Sequence, residues 1–167
     1  YGMIDRAGMK IMSASLDTVG VMARSVADCA LFAAAVSGRD LGDPDARQPR
    51  APRVGVCRSP SWDVVEPATE ALLPRIATAL ERKGATVRDF ELPADYADLK
   101  QAHPIVMNSE SARALGWELA EQPEGISEGL AERMAFGLAQ GDVARAEALA
   151  VFDRTQRGFA DTLGDLD

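Results

Sequence analysis

The sequence predicts an α/β fold: a βαβ unit with a short mixed sheet, led in by a loop and one buried helix and followed by a helical carboxyl-terminal half. Two observations support this. Strand-like runs flank an amphipathic helical pattern between residues 53 and 92, and most of the chain after residue 93 repeats at helical spacing. The expected organisation is a single partial domain with four parts: 1–38, loop and buried helix; 39–52, linker; 53–92, βαβ unit; 93–167, helical region.

Residues 1–20 have glycines at 2, 8 and 20 among scattered Ser and Asp, so no helical period develops, and an extended strand or loop that lines something is expected. Ser25 stands three residues before Asp28 in the manner of a capping box, and the apolar run Cys29–Val36 ends at Gly38, which predicts the buried helix. Asp, Arg and Pro then dominate residues 39–52, the composition of a solvated linker. Arg53-Val54-Gly55-Val56-Cys57 reads as a strand. Glu66-Pro67 opens a helix with an acid and a proline where both are tolerated, and Leu72, Leu73, Ile76 and Leu80 keep its period until Lys83-Gly84. Residues 86–92 alternate as a second strand, which places a parallel pairing across the helix. Beyond them, breaks are expected at Pro104, at Pro123-Glu124-Gly125 and at Gly141-Asp142, with Asp142 as N-cap of the last long helix.

Composition excludes several classes of function. A net charge of -8, from 18 Lys plus Arg against 26 Asp plus Glu, argues against a nucleic-acid partner, since phosphate binding depends on clustered cations. The Cys29–Val36 run is less than half of the roughly 20 residues that span a bilayer, so no membrane partner is expected. Cys29 and Cys57 belong to no metal-binding or redox pair and read as buried free thiols. With no signal-peptide layout at the amino terminus, a cytoplasmic location is the default. Tyr1-Gly2 is an unusual start and reads as the edge of a cut or trimmed chain.

Few residues stand in the pattern of a reaction centre. No glycine-rich phosphate loop is present, and His103, the single histidine, cannot build a metal site, so neither metal nor organic cofactor is expected. Ser13 and Ser15 with Lys10 are the candidates for a nucleophile and its base. In an extended segment, however, these side chains would lie about 10 to 17 Å apart. No serine has the flanking glycines of a nucleophile elbow.

One block is specific. Ser15-Leu16-Asp17-Thr18-Val19-Gly20-Val21-Met22-Ala23-Arg24-Ser25-Val26-Ala27-Asp28, followed by the helix and Gly38-Arg39-Asp40, resembles the segment that follows the nucleophile loop in amidase-signature enzymes; Val21 stands where that family usually has Pro. The resemblance implies a fragment of the amidase-signature fold and a parent enzyme that hydrolyses carboxylic amides to acid and ammonia or amine. It also implies a Ser, cis-Ser, Lys triad and a Gly-Ser-Ser-Gly-Gly oxyanion loop upstream of Tyr1, so this chain would hold no catalytic residue and be inactive alone. By the same resemblance, Met9, Ile11, Met12 and Ser13, with His103 and Met107, would line the substrate pocket. Asp17, Thr18 and Arg24 would support the active-site loop. His103-Pro104 replaces tyrosines of glutamine-using relatives, which implies another amide. The expected partners are a small-molecule amide in the complete protein and, through uncovered apolar faces, further copies of the chain. The competing reading is a non-catalytic binding or assembly module that reuses the fold.

Overall fold

The computed structural model describes residues 1–46 and 50–167. Residues 47–49 of the expected linker lie outside the described residues; its preceding part, residues 39–46, holds neither helix nor strand and is exposed. The chain forms two compact units, each drawn from two separate stretches: Tyr1–Arg47 with Pro104–Val143, and Gln48–His103 with Ala144–Asp167.

In the first unit, residues 1–20 form turns and open loop without a strand, and a tight turn follows Ser13, whose carbonyl accepts the N–H groups of Leu16 and Asp17. Helix α1, Val26–Ser37, starts where the capping pattern predicts: Ser25 Oγ accepts the Asp28 N–H at 3.1 Å, and Gly38 ends the helix at φ 66°. The expectation that α1 is buried is wrong. Leu31 is 73% exposed, Phe32 56% and Val26 73%. The helix is apolar on all its faces, and within this unit only the side bearing Cys29, Ala33 and Ala34 is half-covered.

Helix α3, Leu99–Ala114, runs through Pro104, so the predicted break there is also wrong. A proline removes one helical hydrogen bond and costs about 3 kcal/mol in a helix interior. Complete burial of Val106 and near-complete burial of Ala102 and Ala112 offset that cost. Helices α4, Gly116–Glu121, and α5, Glu128–Ala139, follow, separated by a 3₁₀ turn at Pro123–Gly125 where the sequence predicts a break. Gly137 of α5 lies against the backbone of Asn108 and Ser109 so closely that no Cβ fits, and Ser109 Oγ donates to the Gly137 carbonyl at 3.1 Å. The fully buried Met134 sits one turn earlier on α5.

The second unit holds the βαβ element. Strand β1, Arg53–Cys57, pairs in parallel with β2, Thr86–Phe90, in the register Arg53↔Thr86 through Cys57↔Phe90. β2 ends two residues before the alternation does, and the sheet of the described residues is this parallel pair. Between them helix α2, Pro67–Arg82, places Leu73, Ala77 and Leu80 on its half-buried side, and Gly84 closes it at φ 94°. Tyr96, in the 3₁₀ turn Ala94–Asp98, is buried and donates its hydroxyl to the Thr155 carbonyl at 3.0 Å. Thr155 lies on helix α6, Gly141–Leu163. Asp142 falls inside the first turn of α6 and is not its cap; its carboxylate takes Arg113 at 2.5 Å, and a negative charge there suits the helix N-terminus.

The end of the chain returns to β1. Asp167 N–H donates to the Arg53 carbonyl at 3.0 Å, while Arg53 N–H donates to Asp167 Oδ2 at 3.0 Å. Leu166 packs against Gly55, where a Cβ would come within 2.6 Å of Leu166 Cδ1. Arg50 completes the grip on the Asp167 carboxylate.

Candidate functional site

The loop 9–17 is held from three sides within the first unit. Arg6 donates from Nη1 to the carbonyls of Ala14 and Asp17, each at 3.0 Å, and its guanidinium lies 5.0 Å from the centre of the Tyr1 ring. Asp17 turns back on its own loop: Oδ2 accepts the N–H of Met12 at 2.7 Å and of Ser13 at 3.1 Å. Glu110 of α3 receives the loop from the other side. Its Oε2 accepts Ser13 Oγ at 2.7 Å and Ser15 N–H at 2.8 Å, and its Oε1 accepts Ser15 Oγ at 2.7 Å. Glu110 is 6% exposed, and a buried carboxylate is tolerated only when its lone pairs find donors of this kind.

A serine hydroxyl donating to a carboxylate has the outline of a nucleophile with its base. Accessibility decides against that role for Ser13, which is 2% exposed, so no amide can reach its Oγ. Ser15 is half-buried, with its hydroxyl taken up by Glu110 Oε1. Lys10, the other base considered, is engaged elsewhere: its ammonium sits 2.7 Å from Glu118 Oε1 and, chiefly through that hydrogen bond, holds the Glu118 carboxyl below its ordinary value. The cluster is a clamp on the loop.

The expected site residues divide between the units. Met9 is exposed, Ile11 and Met12 are half-buried, Ser13 is buried, and Met107 is half-buried on α3, all in the first unit. Ile11 lines an open cleft of about 690 Å³ with Met3, Ile4, Arg6 and Val36. His103 belongs to the second unit, where it is exposed and its ring lies 6.4 Å from that of Phe152 at a 47° tilt. Of the three support residues, Asp17 makes the loop-closing bonds just described. Thr18 and Arg24 are exposed, and neither makes a side-chain hydrogen bond or ion pair among the described residues.

Sequence reasoning missed Glu110 and Arg6. The usable signal for Glu110 was its setting, an acid among the small and polar residues Asn108, Ser109, Ser111 and Ala112, a stretch that carries no other charge. A second concavity, about 540 Å³, runs between Val21-Met22 and Leu31, Phe32 and Ala35 of α1, and Met22 beside it is 98% exposed. Among the described residues no group of three or more His, Cys, Asp or Glu side chains could hold a metal, and no helix is long and apolar enough to cross a membrane.

Comparison with known proteins agrees with the block read from the sequence. The glutamyl-tRNA(Gln) amidotransferase subunit from Moorella thermoacetica is 31% identical over 144 residues, covering 78% of this chain and 28% of that protein. Its counterpart from Latilactobacillus sakei is 33% identical over 129 residues, covering 69% of this chain and 26% of that protein. A solved crystal structure of an amidase shares the fold, with a TM-score of 0.87 at 23% identity over 100% of this chain and 37% of that one. The chain thus spans little more than a quarter of the length of these curated relatives. The sequence profile of the Amidase family matches residues 1–138, and the chain belongs to that family.

Proposed function

We propose that the chain is the carboxyl-side portion of a serine amidase that hydrolyses the C–N bond of a small carboxylic amide to acid and ammonia or amine in the cytoplasm. The nucleophile, its bridging serine and the lysine base are supplied outside residues 1–167, so the chain alone is inactive. Met9, Ile11 and Met12 line the acyl side of the pocket with Met107, Ser13 anchors that stretch from its buried side, and Asp17, flanked by Thr18 and Arg24, closes the loop behind the nucleophile.

The observation that supports this most is the fate of the serines. In a block that matches the family, Ser13 and Ser15 spend their hydroxyls on Glu110, as scaffold would. The half-buried Ile11 on the 690 Å³ cleft is consistent with a lining role for that stretch. The exposed Leu31, Phe32 and Met22 favour self-association of the isolated chain.

Assay of short aliphatic and aryl amides tests the reading. Purified residues 1–167 should release no ammonia above the buffer rate, and a protein that joins them to a Gly-Ser-Ser-Gly-Gly segment and its lysine should release it. Turnover by the chain alone that disappears in Ser15→Ala would overturn the proposal. The alternative, a non-catalytic assembly module, is favoured by the apolar surface of α1 and would stand if the joined protein were also inactive.

A further inference from the structure

We infer that Glu110 is a positioning residue for the amide-hydrolysing reaction, acting through Ser13 and Ser15 to hold the lining stretch Met9–Met12 in register; this rests on the reading above. Three donors from two loop residues converge on one carboxylate, at 2.7, 2.8 and 2.7 Å, and Ser15 contributes both its N–H and its hydroxyl. Hydrogen bonds to an ionised acceptor are about twice as strong as neutral ones. The residues just before this anchor are held from the opposite side, because Asp17 Oδ2 takes the N–H groups of Met12 and Ser13. Ser13 is therefore fixed at its backbone by Asp17 and at its side chain by Glu110. Displacement at Ser13 would carry Met12 and Ile11 with it, and those side chains meet the substrate on the proposed reading.

The carboxylate is mounted on rigid structure. Residues 108–112 of α3 are all buried, and Gly137 of α5 rests directly on the backbone of Asn108 and Ser109. Glu110 thus refers the loop to the best-packed part of its unit. A specificity wall built on a loop needs such a mount, since a misplacement of about 1 Å can cost 100-fold in rate.

Isosteric replacement separates positioning from mere charge. In Glu110→Gln an amide oxygen can occupy the Oε2 site and accept from Ser13 and Ser15, while the amide N–H₂ meets Ser15 Oγ as an acceptor. Glu110→Ala removes every acceptor.

In residues 1–167, hydrogen exchange at the Ser15 amide should speed at least about tenfold in Glu110→Ala, the loss of one charge-assisted bond. It should stay within about threefold of wild type in Glu110→Gln. Ser15→Ala, which removes only the bond to Oε1, provides a measurement if Glu110→Ala does not fold, and should speed the amide of residue 15, which is left as the sole tie of that residue to Glu110. Unchanged exchange in Glu110→Ala, or in Ser15→Ala where that variant must serve, would overturn the positioning role; so would Glu110→Gln as fast as Glu110→Ala.

In the joined amidase, Glu110→Ala should flatten the kcat/KM preference among linear and branched acyl amides by about tenfold, mainly through KM, with Glu110→Gln restoring it. Retained preference in Glu110→Ala would overturn the link to the reaction. A wild-type joined protein that hydrolyses no amide would overturn the functional reading instead, and the exchange result would still decide the loop.

Discussion

Asp17 closes its loop on Met12, the Oδ2 atom accepting the Met12 N–H at 2.7 Å while also taking the Ser13 N–H at 3.1 Å. Both bonds fall on a single oxygen. Asp17→Ala leaves two part-buried donors without an acceptor, at about 1–3 kcal/mol, whereas Asp17→Asn keeps one oxygen for both. In urea unfolding, the asparagine variant should lose less than half of what the alanine variant loses. Equal losses would show that charge, not acceptor geometry, closes the loop.

Gly137 tolerates no side chain. A Cβ there would run into the Asn108 carbonyl and the Ser109 nitrogen, and backbone cannot yield as the tip of a side chain can. Gly137→Ala should therefore cost about 3 kcal/mol despite alanine's better helix propensity, the upper end of what overpacking usually costs. Gly129, with open space around it on the same helix, is the control: Gly129→Ala should be neutral or slightly stabilising in the same thermal melts.

The Asp167 carboxyl is drawn from the ordinary aspartate value of 3.8 down to about 2, first by the Arg53 N–H, then by the Arg53 side chain, with Arg50 adding to both against the cost of desolvation. A depressed folded-state pKa means that the stabilisation is present above the unfolded value and fades as pH falls from about 4 toward 2. Urea midpoints measured between pH 5 and 2 should drop less steeply in Asp167→Asn than in wild type. Parallel curves would remove Asp167 from the acid response.

The uncovered side of α1 should drive association. Leu31 and Phe32 are 73% and 56% exposed beside Met22 at 98%. Light scattering of the wild-type chain should show oligomers that grow with concentration, and Phe32→Asp with Leu31→Lys should return it to a monomer without loss of helix content. A monomeric wild type at high concentration would count against this.

Local signals survived into the structure where the neighbours that decide them are close in sequence. Ser25 caps α1 because its acceptor faces Asp28, three residues on, and Gly84 ends α2 because no side chain opposes its positive φ. The parallel pairing of β1 with β2 followed from an intervening helix of sixteen residues. Pro104 misled because its cost is local, whereas the burial of Ala102 and Val106 that outweighs it comes from tertiary packing. α1 misled in the opposite sense: its apolar composition speaks of a covered helix, and composition does not say which chain segment does the covering. Glu110 escaped notice because its partners lie 97 and 95 residues away, and nothing in a helical acid announces two distant serines.

Such distances also have a cost in time. Both units are assembled from separate stretches, so Ser13 leaves the ribosome 97 residues ahead of Glu110, and Arg53 leaves 114 ahead of Asp167. At roughly 5–20 residues per second, the amino-terminal loop waits on the order of 5–20 s for its anchor, and β1 somewhat longer for the residue that grips its first strand position. During that interval the apolar helix α1 is already synthesised. Until Glu110 arrives, the Ser13 and Ser15 hydroxyls and the Ser15 N–H lack the carboxylate that later takes all three.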